Sequence, residues 1–249
     1  MAAAGTIAPM TDSTAPPAGR ASAVVRPGAI SSPRITAVMP ARTEARRIAA
    51  TIAELRDHVD EVIVVDDASE DDTSAIAATA GAVVTRSDTR VGYIGALERG
   101  FAAASGDIVV TVDADGEMPV ERIGDLVAPI IAGTADMVQG HRSHVPRISE
   151  RCVTAIAAIA GPVGDSGTGF RAIRTGLARD LEIPGSCICG SFALAARARG
   201  ARLAEIRIQT RPVPGRRRSI AWNHAAQAIL VARLAFQVRS ARRGSLEQR

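Results

Sequence analysis

Between residue 34 and about residue 145, short and nearly continuous apolar runs alternate with longer stretches of helical period. The runs are 35–40 (ITAVMP), 61–65 (EVIVV), 82–85 (AVVT), 108–112 (IVVTV) and 137–140 (MVQG). Between them lie 44–58, with Ile48, Ile52 and Leu55 on one face, then 73–80, 95–104 and 120–132. Strands apolar on both faces need cover on both sides, and strands joined by helices run parallel. The pattern therefore predicts an α/β fold, a mostly parallel sheet flanked by helices in a single domain. Ligands of such sheets bind outside the carboxyl ends of the strands. The residues there are Pro40 to Glu44, Asp66 to Asp72, Asp113 to Glu117 and Gly140 to Arg142.

Composition removes several function classes. With 47% hydrophobic residues and a net charge of +4 the chain is not a disordered one. Three cysteines, Cys152, Cys187 and Cys189, do not make a disulfide framework. The last two read as small packing residues. The four histidines have no zinc spacing with them. No G-x-G-x-x-G turn follows the first strand, and a P-loop is excluded because the chain contains no lysine. Residues 1–33, rich in Ala, Pro and Ser, read as a disordered leader, and 237–249 as a basic C-terminal tail. Residues 220–236 are interrupted by Asn223, His224, Gln227 and Arg233, so no membrane span is expected. The expected location is the cytoplasm. From residue 197 onward 13 arginines face two acids, Glu205 and Glu247, which suggests an anionic ligand near that end. Aromatic residues for stacking are sparse there, and nucleic acid is not an expected partner.

Asp113, Asp115 and Glu117 alternate along what reads as an extended segment after the fourth strand. Three carboxylates aimed at one point would repel one another unless a cation sat among them. Hard oxygen ligands with open positions suit Mg²⁺ or Mn²⁺, with a substrate diphosphate completing the shell. A solvated turn of acids is the alternative. Asp66 and Asp67 could accept hydrogen bonds from a ribose or a base, whereas Ser69 or Asp71 could cap the following helix.

The segments VMPARTE (38–44), VVDDASEDDT (64–73), VGYIGALERGF (91–101), VTVDADGEMP (110–119), DSGTGFRAIR (165–174), RARGARLAEIRI (197–208) and RPVPGRRRS (211–219) together carry a resemblance. Residues 34–236 resemble the family-2 glycosyltransferases of the GT-A fold, most of all the dolichol- or polyprenol-phosphate mannosyltransferase branch. The resemblance implies an inverting hexose transfer from a nucleotide-diphospho-sugar. Pro40, Ala41, Glu44, Asp66 and Asp67 would hold the nucleoside. Asp113, Asp115 and Glu117 would bind the metal and through it the diphosphate, with Ala114 against the donor. Family members usually carry a second glycine and often a lysine where this chain has Tyr93 and Ile94. They often carry an acid between 184 and 192, where this chain has none.

A missing acid favours an acceptor that is already ionised, either a polyprenyl phosphate or a small phosphorylated molecule. Asp165 is then a positioning group or a base, or else a turn residue before Ser166. Arg216, Arg217 and Arg218 could close over the donor diphosphate and acceptor phosphate, or form a solvated loop. Arg142 and Arg171 are further candidates for that work, and Arg171 could equally form an internal salt bridge. The helix at 220–236 is expected to pack on the sheet; lying at the inner face of the cell membrane is the alternative. Two competing functions are transfer to a soluble or secondary-metabolite acceptor, and nucleotide binding without turnover.

Overall fold

The computed structural model describes residues 32–143, 148–212 and 223–247. Its strands are β1 (Ile35–Ala41), β2 (Glu61–Asp67), β3 (Val83–Ser87), β4 (Ile108–Thr111), β5 (Met137–Arg142), β6 (Arg171–Arg174) and β7 (Leu203–Ile208). They form one sheet in the order β3-β2-β1-β4-β6-β5-β7. Pairing is parallel except on both sides of β6, which runs against its neighbours β4 and β5. The mostly parallel sheet expected from the alternation is present.

Alternate side chains of each strand feed two apolar layers. Ala37, Met39, Val62, Val64 and Val110 point to one face, where α1 (Ile48–Leu55) and α4 (Ile123–Ile131) cover them. Val38, Ile63, Val65, Val109 and Ile173 point to the other, under α3 (Gly92–Ala103), α6 (Thr175–Arg179) and α7 (Ser191–Ala198). Ile48, Ile52 and Leu55 of α1 are wholly buried at helical spacing. Each such side chain stabilises the fold by about 1.5–3 kcal/mol. α3 lies close on β1 because Gly100 has no side chain; a Cβ there would stand 2.2 Å from Val38 Cγ1. α2 (Thr73–Thr79) packs beside α1 and against β3.

A third apolar cluster lies outside the sheet. It joins α5 (Ile148–Ala157), α7 and α8 (Asn223–Glu247) through Val153, Ala157, Cys189, Leu194, Val231, Ala235 and Val238. This corrects the expectation that the C-terminal helix packs on the sheet: its partners are other helices. α8 also runs through the expected boundary at 236, with Val238 buried in the cluster. Among the described residues no helix is long and apolar enough to cross a membrane.

Two strands escape the sequence pattern. β6 (RAIR) carries arginines at both ends, and both are buried. β7 (LAEIRI) is an edge strand with Arg207 exposed and Glu205 bonded to Gln139 and Gly164 N–H, and charge is a common way to protect an edge. The reversal of β6 has a functional consequence. Its amino end lies at the same sheet edge as the carboxyl ends of β4 and β5, so residues 165–170 join the site.

Candidate active site

The turns after β1 and β2 are tied to each other. Thr43 and Ala68 both adopt left-handed backbone, φ 57° and 55°. For such residues this costs on the order of 1 kcal/mol each and is retained where the surroundings enforce it. The enforcing bonds run between the turns. Thr43 N–H donates to Ser69 Oγ (2.9 Å), Glu44 N–H to Thr73 Oγ1 (2.9 Å) and Ala45 N–H to Asp71 Oδ2 (3.2 Å). Asp71 Oδ1 accepts from Thr73 N–H (3.1 Å), which is the capping expected of it. Ser69 has the linking role instead. Pro40 and Ala41 are buried at the end of β1, and Glu44 is half-buried beside Arg47. The turn at 42–47 delays the start of α1, which the periodicity placed at 44.

The acids ending β2 face inward, contrary to the expectation that they would reach a nucleoside. Asp66 is wholly buried. Its Oδ1 accepts from Ser69 N–H (2.9 Å), and its Oδ2 from the Ser74 hydroxyl and from Arg86 Nη1 (3.0 Å). Burial alone would raise its pKa, but the bonds from Ser69 and Ser74 and the Arg86 charge hold it below the ordinary carboxylate value. Asp67 accepts from Val91 N–H (2.6 Å) and Gly92 N–H (3.0 Å), the free donors at the start of α3. The pair builds the turn and anchors α3.

The acids after β4 are held differently. The chain does not stay extended: it turns at Ala114 and Asp115, and Gly116 takes φ 75°. Asp115 Oδ1 accepts from Glu117 N–H at 3.0 Å across this turn. Asp113 is half-buried and accepts the Tyr93 hydroxyl at Oδ1, 2.8 Å. Burial, then the charge and hydrogen bond of Asp113, raise the Tyr93 phenol well above its ordinary pKa. Among the described residues no three His, Cys, Asp or Glu side chains converge as a metal cage. This corrects the expected trio of Asp113, Asp115 and Glu117, because the turn breaks the alternation that would have aligned it. Two carboxylates remain a fitting donor set for Mg²⁺ or Mn²⁺. Such ions are commonly held by one or two carboxylates with water and substrate phosphate filling the other positions.

Asp165 is wholly buried and bound by Arg142 through Nε (2.6 Å), Nη2 (2.9 Å) and the backbone N–H (3.2 Å). Gly167 N–H adds a bond at 3.1 Å. Burial would raise the Asp165 pKa; the Arg142 bonds and charge outweigh it and lower it. A carboxylate so engaged is a poor proton acceptor, which speaks against the base role, and the bond from Gly167 N–H fits the reading of Asp165 as a turn residue. Arg142 also bridges to Glu150 (2.9 Å) and is therefore a structural tie, not an open clamp. Arg171 is wholly buried, donates to Ser166 C=O (2.9 Å) and lies 4.8 Å from the centre of the Phe192 ring. Burial works against its charge, while Tyr93, Asp165 and Asp113 support it. Arg171 is thus an internal cation held against backbone and a ring, out of reach of a substrate.

Arg216, Arg217 and Arg218 lie outside the described residues. The segment before them is anchored: Arg211 N–H donates to Glu117 C=O (2.8 Å), and its guanidinium pairs with Glu54 (2.5 Å) and Glu121 (2.7 Å). The sequence reading missed Gly169, which passes against Asp113; a Cβ there would stand 2.3 Å from Asp113 Oδ2. The spacing of G-T-G in 167–169 was the available signal. A separate cleft of about 940 Å³ between α7 and α8 contains none of these residues.

Comparison with known proteins shows the family. The profile of "Glycosyl transferase family 2" matches residues 36–199. A protein of Methanocaldococcus jannaschii described as uncharacterized is 30% identical over 201 residues, 73% of this chain and 83% of that one. The glycosyltransferase AglD of Haloferax volcanii is 34% identical over 130 residues, 47% of this chain but 21% of its own. Among solved structures, glucosyl-3-phosphoglycerate synthase from Mycobacterium tuberculosis is similar at TM-score 0.68 and 25% identity. The likeness covers 84% of this chain and 81% of that one, in a complex with Mn²⁺, uridine diphosphate and glucosyl-3-phosphoglycerate. The chain therefore belongs to glycosyl transferase family 2 and is a glycosyltransferase of the GT-A fold.

Proposed function

We propose that this chain transfers a hexose from a nucleotide-diphospho-sugar to an acceptor bearing phosphate, with Asp113 and Asp115 holding a divalent ion. The observation carrying this reading is the pair of carboxylates after the central β4, where Asp113 meets a neutral phenol and no ion pair among the described residues. Mg²⁺ or Mn²⁺ bound there would neutralise charge on the departing diphosphate. The solved relative with Mn²⁺ and uridine diphosphate supports the same donor chemistry here.

The residues around the pair have complementary tasks. The linked turns at Thr43 and Ala68 shape the floor for the nucleoside beside Pro40 and Ala41. Asp165 fixes Arg142 and through it the loop before β6. With Asp165 engaged, an acceptor needing deprotonation lacks an evident base among the described residues, whereas an ionised phosphate can attack C1 unaided. The C1–oxygen bond to the diphosphate breaks as the acceptor oxygen bonds from the opposite face, giving inversion. The arginines at 216–218 supply cation chemistry suited to two phosphates.

Among phosphate-bearing acceptors, the relative solved with phosphoglyceric acid favours a small soluble one. A polyprenyl phosphate is the other arm of the test. Nucleoside diphosphate release should be measured from a panel of sugar donors with Mn²⁺, against small phosphorylated acceptors, a short polyprenyl phosphate and matched alcohols. Release stimulated by phosphate-bearing acceptors and lost in chelator supports the proposal. Equal stimulation by alcohols, or full activity in chelator, contradicts it; anomeric analysis of the product tests inversion.

A further inference from the structure

Tyr93 and Ile94 stand where the resemblance leads one to expect a second glycine and often a lysine, and the structure gives both residues a place. Ile94 is buried in the layer between α3 and the sheet. Tyr93 is the chain's single tyrosine and donates its hydroxyl to Asp113 Oδ1 at 2.8 Å. Its aim is set from behind. Asp67 fixes the start of α3 by accepting from Val91 and Gly92. Gly92 takes φ 77°, and the next residue is Tyr93.

The far side of Asp113 is fixed too. Its carboxylate packs on Gly169, and the Gly169 carbonyl is held by the Thr111 hydroxyl at 2.6 Å. The Asp113 carboxylate thus sits between a hydroxyl on α3 and bare backbone before β6.

We infer that Tyr93 is a positioning residue for the metal ion: its hydroxyl holds Asp113 in a single orientation, so that the remaining oxygen lone pairs are offered to the cation. This rests on the metal reading of the site given above. A neutral donor suits that task, since it orients the carboxylate without cancelling the charge that attracts the cation. Partners behind ligating carboxylates typically contribute 10- to 100-fold in metal affinity or activity.

The test is Tyr93→Phe, which removes the hydroxyl and keeps the ring. Mn²⁺ affinity of the full chain is measured by electron paramagnetic resonance titration in the presence of uridine diphosphate, beside the thermal midpoint. The expected result is Mn²⁺ binding weakened roughly 10- to 100-fold with the midpoint within a few degrees of the parent. The half-saturating Mn²⁺ concentration for transfer should rise more than kcat falls at saturating metal. In a cycle with Asp113→Asn, the second change should add little. Unchanged Mn²⁺ affinity in Tyr93→Phe, or full additivity with Asp113→Asn, would overturn the inference while leaving the metal reading intact. Absence of Mn²⁺ binding by the parent chain would overturn both.

Discussion

The ends of β2 and β4 look alike as sequence, each closing an apolar strand with acids, and they do opposite work. At β2, Asp66 and Asp67 are surrounded by donors from residues up to 25 positions away, including the Arg86 cation and two N–H groups of α3. At β4, Asp113 receives one neutral hydroxyl. A carboxylate already compensated by an arginine holds the fold together, whereas one oriented by a phenol keeps its charge for a cation. The chemistry of a strand-end acid in this fold is set by its partners more than by its place at the sheet edge.

Substitutions can break this contrast. The largest expected effect is on stability: Asp66→Ala leaves buried donors unpaired beside Arg86 and should cost about 3 kcal/mol in urea unfolding. Asp113→Asn should change unfolding by less than about 1 kcal/mol yet lower transfer on the order of 100-fold, equivalent to about 2.7 kcal/mol of barrier. A loss of stability at Asp113 equal to that at Asp66 would erase the distinction. Gly169→Ala comes next. Its methyl must displace the Asp113 carboxylate, and a shift of that kind should reduce transfer by about 10-fold or more.

The smallest effect is on pH dependence. The Asp66 pKa is lowered by folding, so its contribution is present above the ordinary carboxylate range and disappears as pH falls through the folded value. Urea midpoints measured from pH 6 down to pH 3 should fall less steeply for Asp66→Asn than for the parent chain. Parallel curves would show that Asp66 does not carry this linkage.

The strands β1 to β5 were legible because each is an apolar run. β6 was not, because Arg171 and Arg174 give it a polar sequence; only the tertiary setting shows Arg171 buried against Phe192 and Arg174 beside Asp136. The acids of the site were legible as candidates, but their division of labour was not. Whether Asp66 meets a ligand or Arg86 depends on a strand pairing, Asp66 opposite Arg86 in β2–β3, that no local motif announces. Asp165 illustrates the same limit, since its reading as a base fails only once Arg142 is found on both its oxygens. Tyr93 stood out as a departure from the family pattern, and its role became visible through the hydrogen bond to Asp113.

The central claim is that Asp113 and Asp115 bind a donor diphosphate through a divalent ion, and thermal unfolding with uridine diphosphate tests it most directly. With ligand at about 100 times Kd, stabilisation of about 2.7 kcal/mol is expected, a rise in Tm of roughly 5–10 °C. The account predicts this rise with Mn²⁺ for the parent chain, and its loss in chelator and in Asp113→Asn. An equal rise in chelator, or in Asp113→Asn, would contradict it.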